Sequence, residues 1–361
     1  MYTLYGAKVS YFSGKARAYL NWKGVPYREV GATKDIYTDI ILPKVGWPVI
    51  PVVAGPGDEI LQDTSDIIDT LEARHGAPSV YPDGPVQKLA ALLFEVIGDE
   101  WLVIPAMHYR WAYNRDYAYA EFGKMSAPDA APEEQFDIGR ANATRFEGAL
   151  PLLGITPETV PAIEASYETL LSELDRHFAT HAMLFGDRPS IGDLGLYGPL
   201  YAHLYLDPAS GKIMKSIAPN VYAWVERLRD SAPGTGAFLD EDAVPDTLLP
   251  VLQRQLADFV PVLVDTAAAL TAWAEGKPAG EAVPRALGPM PFRISDTPGN
   301  RMIFPFNLWM LQRPMDHYAS LAGKDKDAAD AFLSSIGAEG LASMVKPPRL
   351  ARENFKLVLA E

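Results

Sequence analysis

Residues 48–67 read Pro48-Val49-Ile50-Pro51-Val52-Val53, then Ala54-Gly55-Pro56-Gly57-Asp58, Glu59-Ile60-Leu61 and Gln62-Asp63-Thr64-Ser65-Asp66-Ile67. The β-branched run from Pro48 has the composition of a strand, Gly55-Pro56-Gly57-Asp58 is a turn, and Glu59-Ile60-Leu61 is a returning strand. Asp63-Thr64-Ser65 then opens an amphipathic helix with Ile67, Ile68 and Leu71 turned inward. Upstream, residues 3–6 form a short apolar strand and residues 7–14 a loop. A helical pattern of Ala16, Tyr19, Leu20 and Lys23 stops at Gly24, and residues 25–30 alternate as a second strand. The first 80 residues therefore predict β-α-β followed by β-β-α.

The length of 361 residues predicts two or three domains, and 48% hydrophobic with 22% charged residues is the balance of a soluble globular protein. No cysteine occurs, which excludes disulfides, thiolate metal sites and a cysteine nucleophile. The net charge is −14, of which residues 1–80, with 8 basic and 9 acidic side chains, carry almost none. The remaining acidic body repels phosphate backbones, so nucleic acid is not expected as a partner. Met1-Tyr2-Thr3-Leu4-Tyr5 lacks the pattern of a secretory signal. The apolar stretch from Phe259 to Trp273, broken by Pro261 and Asp265, reads as a buried helix instead of a membrane span. A cytoplasmic protein without membrane or metal partners is expected.

From Val86 long helices take over: 87–111, 135–150, 163–178, one opened by Ser190-Ile191-Gly192-Asp193 as a capping box, and 219–229. Residues 231–245 read as a linker, with Asp240-Glu241-Asp242 a solvated acidic run. Beyond it, helical patterns cover 247–274 and 328–334, and the Pro- and Gly-rich stretch 277–301 is expected to be irregular or to form short strands.

This order resembles the cytosolic glutathione S-transferases over roughly residues 1–230. The resemblance implies an α+β protein: an N-terminal thioredoxin-like glutathione-binding domain (1–80), an all-α glutathione-transferase-like domain (86–230) and a mostly helical C-terminal extension (246–361). Ser10-Tyr11-Phe12-Ser13-Gly14-Lys15-Ala16-Arg17 looks like the family's first loop and helix. The resemblance implies Ser10 as the catalytic hydroxyl by its spacing from Arg17, with Tyr11 as the second candidate and Ser13 as the third, Ser13 and Lys44 also being implied as glutathione contacts. Val49-Ile50-Pro51-Val52 is similar to the family's segment around a cis-proline, which implies that Ile50 and Pro51 bind glutathione through the backbone. Asp63-Thr64-Ser65-Asp66-Ile67 resembles the motif that grips the γ-glutamyl end, implying Asp63 and Thr64 as its ligands. Family members often hold the glycyl carboxylate with Lys or Gln before the cis-proline. Here Trp47-Pro48 stands there, and Lys44 is the nearest cation. Asp187-Arg188-Pro189-Ser190-Ile191-Gly192-Asp193-Leu194 resembles the motif that nucleates the helical domain.

The function so implied is a glutathione-dependent transferase, with glutathione as co-substrate, that activates the thiol for attack on a hydrophobic electrophile, in a homodimer such as related proteins commonly form. A free thiol has a pKa of about 8.5, and a hydroxyl donor beside a helix N-terminus favours its thiolate. Without cysteine, thiol transfer through the protein's own sulfur is excluded. The alternatives are a non-catalytic glutathione-transferase-like binding module and a glutathione-dependent lyase or dehalogenase. The aromatic run Trp101, Met107, His108, Tyr109, Trp111, Tyr113, Tyr117 and Tyr119 suits an electrophile pocket, chiefly through Trp101, His108, Tyr109 and Trp111, although such runs are more often core. His177 and His181, four residues apart, read as a surface pair at a helix end. Residues 301–314 read as core of the extension, with a lid over the site as the alternative.

Overall fold

Strand β1 (Tyr2–Gly6) is buried along its whole length and lies inside a four-stranded sheet ordered β2-β1-β3-β4, in a computed structural model that describes residues 1–360. Helix α1 (Tyr11–Lys23) ends at Gly24, whose φ of 70° suits a residue without Cβ. The chain then returns as β2 (Tyr27–Gly31), parallel to β1. Two short helices, α2 (Lys34–Ile36) and α3 (Leu42–Val45), lead to β3 (Val52–Ala54), β4 (Ile60–Gln62) and α4 (Thr64–His75). The predicted β-α-β and β-β-α order is present. The strand expected from Pro48 is only three residues long, because Pro48 and Pro51 have no N–H for a ladder and the Ile50–Pro51 bond is cis.

The helical part comprises α5 (Pro85–Val96), α6 (Val103–Tyr113), α7 (Arg115–Ser126), α8 (Pro132–Glu147), α9 (Val160–Phe178), α10 (Ile191–Ala202), α11 (Pro208–Ile217) and α12 (Pro219–Arg229). Helix α10 is buried on every side, and its Ser190–Asp193 capping box is closed in both directions. The single helix expected over 87–111 is divided by a π-turn, Ile97–Trp101. There α5 and α10 cross so closely that a Cβ on Gly98 would lie 2.3 Å from the carbonyl carbon of Gly195.

Residues 231–245 are not a free linker. The N–H of Leu239 donates to Phe185 O (2.8 Å), and the Asp242 carboxylate accepts from the N–H groups of Val86 and Gln87 (both 2.8 Å). The acidic run predicted as solvated thus caps α5. The extension contains α13 (Leu249–Ala274), a hairpin of β5 (Pro289–Ile294) and β6 (Thr297–Met302), α14 (Phe306–Ser320), α15 (Gly323–Ser335), α16 (Glu339–Ser343) and a second hairpin of β7 (Leu350–Glu353) and β8 (Lys356–Leu359). Helix α13 is long and apolar enough to cross a bilayer by composition. Its Val251, Leu252, Leu256, Phe259, Leu263 and Leu270 nevertheless form one buried stripe. Buried residues from Tyr2 to Leu359 join one hydrophobic core, so the extension shares its interior with the other two parts. The run 301–314 supplies Leu308, Trp309, Met310 and Leu311 to that core.

Candidate functional site

Three predicted segments meet at one end of the sheet because of its register. Tyr5 pairs with Val52, and Val52 with Gln62. The end of β1, the start of β3 and the end of β4 are therefore neighbours, and each is followed or preceded by a candidate: Ser10 after β1, Ile50–Pro51 before β3, and Asp63–Thr64 after β4.

Ser10 is the N-cap of α1, with extended backbone, and its Oγ accepts the Ser13 N–H at 3.3 Å. No acceptor for its own proton occurs among the described residues. The hydroxyl therefore retains a donor at the positive end of a 13-residue helix. The loop before it is clamped from the helical side: Arg110 donates through Nη1 to Val9 O (2.9 Å), while Nε and Nη2 hold Asp207 at 2.8 and 2.7 Å. Ser13 is fully buried, and its Oγ accepts the Ala7 N–H at 3.3 Å. It closes the loop from inside and is not available to a ligand, contrary to its prediction as a glutathione contact.

Tyr11 is also turned inward. Its hydroxyl donates to Gly98 O, a carbonyl in the π-turn, and burial together with Asp99 and Glu100 pushes the phenol well above its ordinary range. The structure thus separates the two catalytic candidates: Tyr11 joins the domains, and Ser10 keeps its donor uncommitted in the loop after β1.

Asp63 has a φ of 77°, and its Oδ1 accepts the Ser65 N–H at 2.9 Å as the cap of α4. The buried Thr64 follows at the first position of that helix, where N–H groups favour an anion. Nearby, burial raises Asp66 to about 6 against the lowering influence of Arg352. Arg352, from β7, donates to Gln62 O at 2.8 Å and also bonds the side chains of Asp66 and Gln62.

Behind these groups lies a network the sequence reading missed. Lys15 is wholly buried, with Nζ 2.8 Å from Glu95 and 2.5 Å from Asp99. Ser65 Oγ donates to Glu95 at 2.8 Å, and Arg313 Nε reaches the other Glu95 oxygen at 3.2 Å. Burial pushes Asp99 up to about 7 despite Lys15. The only available signal was Lys15 within an otherwise inward-facing helix stripe. Its partners 80 and 84 residues away carry no local mark.

The predicted aromatic pocket is core. Trp101 stacks on Phe259 at 5.0 Å, Tyr109 packs on Tyr167 at 4.9 Å, and Trp111 stacks with Phe146 at 6.3 Å. His108 bonds Glu164 at 2.7 Å, and all four are at most 4% exposed. They do not form a free wall. A cavity of about 320 Å³ lies instead beside the Ser10 loop, between Lys8 and Val9, Glu29 and Gly31 of β2, and Glu121, Lys124 and Met125 of α7. Lys44 is exposed on α3 and forms no ion pair among the described residues. Trp47, half-buried, has the Arg285 guanidinium 4.4 Å from its ring centroid.

His177 and His181 stack at 4.6 Å, but His177 is buried and bonded to Thr247 (2.8 Å) and Met183 O (3.2 Å), so the pair is not a surface feature. Burial lowers His177 to about 4. No cluster of three metal-ligating side chains occurs among the described residues.

The family described as glutathione S-transferase, N-terminal domain, matches residues 4–79, and glutathione S-transferase, C-terminal domain, matches residues 157–227. No curated protein matches the chain. Among solved structures it is similar to the beta-etherase LigF from Sphingobium sp. strain SYK-6, at 17% identity over 63% of this chain and 95% of that one (TM-score 0.47). It is similar to a glutathione S-transferase from Methylobacterium radiotolerans in complex with glutathione sulfonate, at 21% identity over 66% and 98% (TM-score 0.40). A Tau class glutathione S-transferase from mango, Mangifera indica, is 17% identical over 68% and 93% (TM-score 0.43).

Proposed function

The chain belongs to the glutathione S-transferase family, and on that premise we propose that it is a glutathione-dependent transferase in which the Ser10 hydroxyl stabilises the thiolate of bound glutathione. The observation that carries the reading is the convergence of Ser10, the cis Ile50–Pro51 bond and the α4 N-terminus through the pairing of Tyr5, Val52 and Gln62. The three groups suit the γ-glutamyl end, the cysteinyl backbone and the sulfur of one extended tripeptide. Thr64, at the first position of α4, receives the γ-glutamyl carboxylate, while Asp63 attracts the ammonium. The Ile50 backbone, which has no partner among the described residues, pairs with the cysteinyl unit. Ser10 donates to the sulfur while its lone pair remains engaged by Ser13.

Ionisation releases the thiol proton to solvent. The thiolate then attacks the electrophile, forming a carbon–sulfur bond as the leaving group departs with its electron pair, or as an addition without departure. The electrophile enters through the cavity beside Lys8 and Val9. Its mixed wall, with Met125 and Val9 beside Lys8 and Lys124, suits an electrophile with both apolar and polar groups instead of a purely hydrophobic one.

Calorimetric titration with glutathione, combined with ultraviolet absorbance of the bound thiolate across pH, tests the reading. Saturable binding with a thiol ionising below its free value is expected. Absence of binding at millimolar glutathione would overturn the proposal.

A further inference from the structure

One end of the tripeptide has no charged partner in the first domain as that domain folds. With the γ-glutamyl carboxylate at Thr64 and the backbone along Ile50, the glycyl carboxylate lies beyond Ile50, toward residues 44–49. That loop offers Trp47 and the exposed Lys44, on helix α3, which ends at Gly46. The indole Nε1 of Trp47 is a buried donor without a partner.

The extension brings a second cation to the same place. Arg285 lies 4.4 Å over the Trp47 ring, a distance at which the ring face attracts the guanidinium. It forms no ion pair or hydrogen bond among the described residues. Arg313 and Arg352, the other arginines that the extension lays on the first domain, are both tied to carboxylates. An uncommitted guanidinium in a chain of net charge −14 is therefore available to an incoming anion.

The segment carrying Arg285 is held on both sides. The Val283 N–H donates to Leu357 O (2.9 Å), and the Leu287 N–H donates to Ile303 O (3.0 Å). At the tip of the β7–β8 hairpin, Phe355 packs on the small core cluster that Trp47, Val49 and Ile50 also cover. The extension thus reaches this corner at two points, and the backbone on either side of Arg285 is held before a ligand arrives.

We propose that Arg285, supplied by the extension, receives the glycyl carboxylate of glutathione, with Trp47 as the platform that orients it. The inference rests on the glutathione reading above and deepens it. Arg285 is a binding residue that sets selectivity for the full tripeptide over a peptide lacking glycine.

Calorimetry on the full chain with glutathione and with γ-glutamylcysteine, which lacks only the glycine, tests the assignment. Wild type should prefer glutathione by about tenfold, the effect of one charge-assisted contact at a partly exposed site. Arg285→Ala should remove that preference while leaving γ-glutamylcysteine affinity unchanged, which also shows that the variant is folded. Arg285→Lys should keep part of the preference, and Lys44→Ala all of it. An Arg285→Ala variant that still prefers glutathione, or a Lys44→Ala variant that loses the preference, would overturn the assignment and leave the transferase reading intact. Equal wild-type affinity for both peptides would do the same. Wild type that binds neither peptide would overturn both.

Discussion

Replacing Ser10 with alanine removes a helix cap and the proposed thiolate donor together, and the two losses can be separated. The cap is the 3.3 Å contact from the Ser13 N–H to Oγ, worth about 1 kcal/mol of stability. The donor acts on a charged sulfur, so it is worth about 1.5–3 kcal/mol, and at about 1.36 kcal/mol per unit this equals one to two units of thiol pKa. Adding up to about 1 kcal/mol from the N-terminus of α1 brings the bound thiol from about 8.5 to roughly 6–7 in the wild type. Ser10→Ala should raise it by one to two units and lower kcat/KM at pH 5, below both values, by about ten- to a hundredfold, with recovery above pH 9. Ser10→Asp retains an acceptor for Ser13 and hence the cap, but places a negative charge beside the sulfur. It should melt like wild type and ionise glutathione even less readily than the alanine variant. The assay is the thiolate absorbance titration at saturating glutathione, paired with denaturant melts of the three proteins. An unchanged titration in Ser10→Ala would refute the donor role whatever happens to stability.

Tyr11→Phe should leave that titration unmoved and lower stability by about 1–3 kcal/mol, because Gly98 O loses its donor inside the domain junction; a shifted thiol pKa would return Tyr11 to the site. Lys15→Met leaves Asp99 buried without a cation and Glu95 with Arg313 alone, and should cost about 3–5 kcal/mol. Asp99 already sits near 7, above its unfolded value, so its folded form holds the proton more tightly. The cost in the variant should therefore be smaller at pH 5 than at pH 8, as measured by urea unfolding at both. His177 has the opposite sign: at about 4 it lies below the unfolded 6.5, so the unfolded chain takes up the proton first. Its share of stability is complete above pH 6.5 and falls by about 3 kcal/mol as pH drops to 4. A His177→Gln variant should lose that acid limb, and superimposable pH profiles would contradict a neutral buried His177.

Where local rules decide the structure, the sequence was sufficient. Gly24 ends α1 and Ser190 with Asp193 starts α10 as their chemistry requires. Pro51 is the cis residue, and Asp63 caps α4. The misreadings concern groups whose partners are distant in the chain. Tyr11 has the composition of a site residue, but Gly98, 87 positions on, claims its hydroxyl; Ser13 is the local exception, closed inward on Ala7 six residues before it. Asp242 reads as solvated because nothing near it shows that α5 needs a cap 156 residues earlier. The aromatic run reads equally well as a wall or as core until Phe259 and Tyr167 are seen against it. The π-turn at 97–101 carries Gly98, against which Gly195 lies, an approach that no helical periodicity displays.

The bond from Arg352 to Gln62 spans 290 positions, and this has a consequence for how the protein is made. Synthesis runs from the first strand toward the last, so the thioredoxin-like sheet has all its residues long before its Asp63–Thr64 corner has its final neighbour. Until residue 352 leaves the ribosome, Asp66 and the edge of β4 face water. A nascent chain of about 230 residues therefore carries Ser10, the cis-proline and the α4 N-terminus, yet presents a corner more open and more acidic than that of the finished protein.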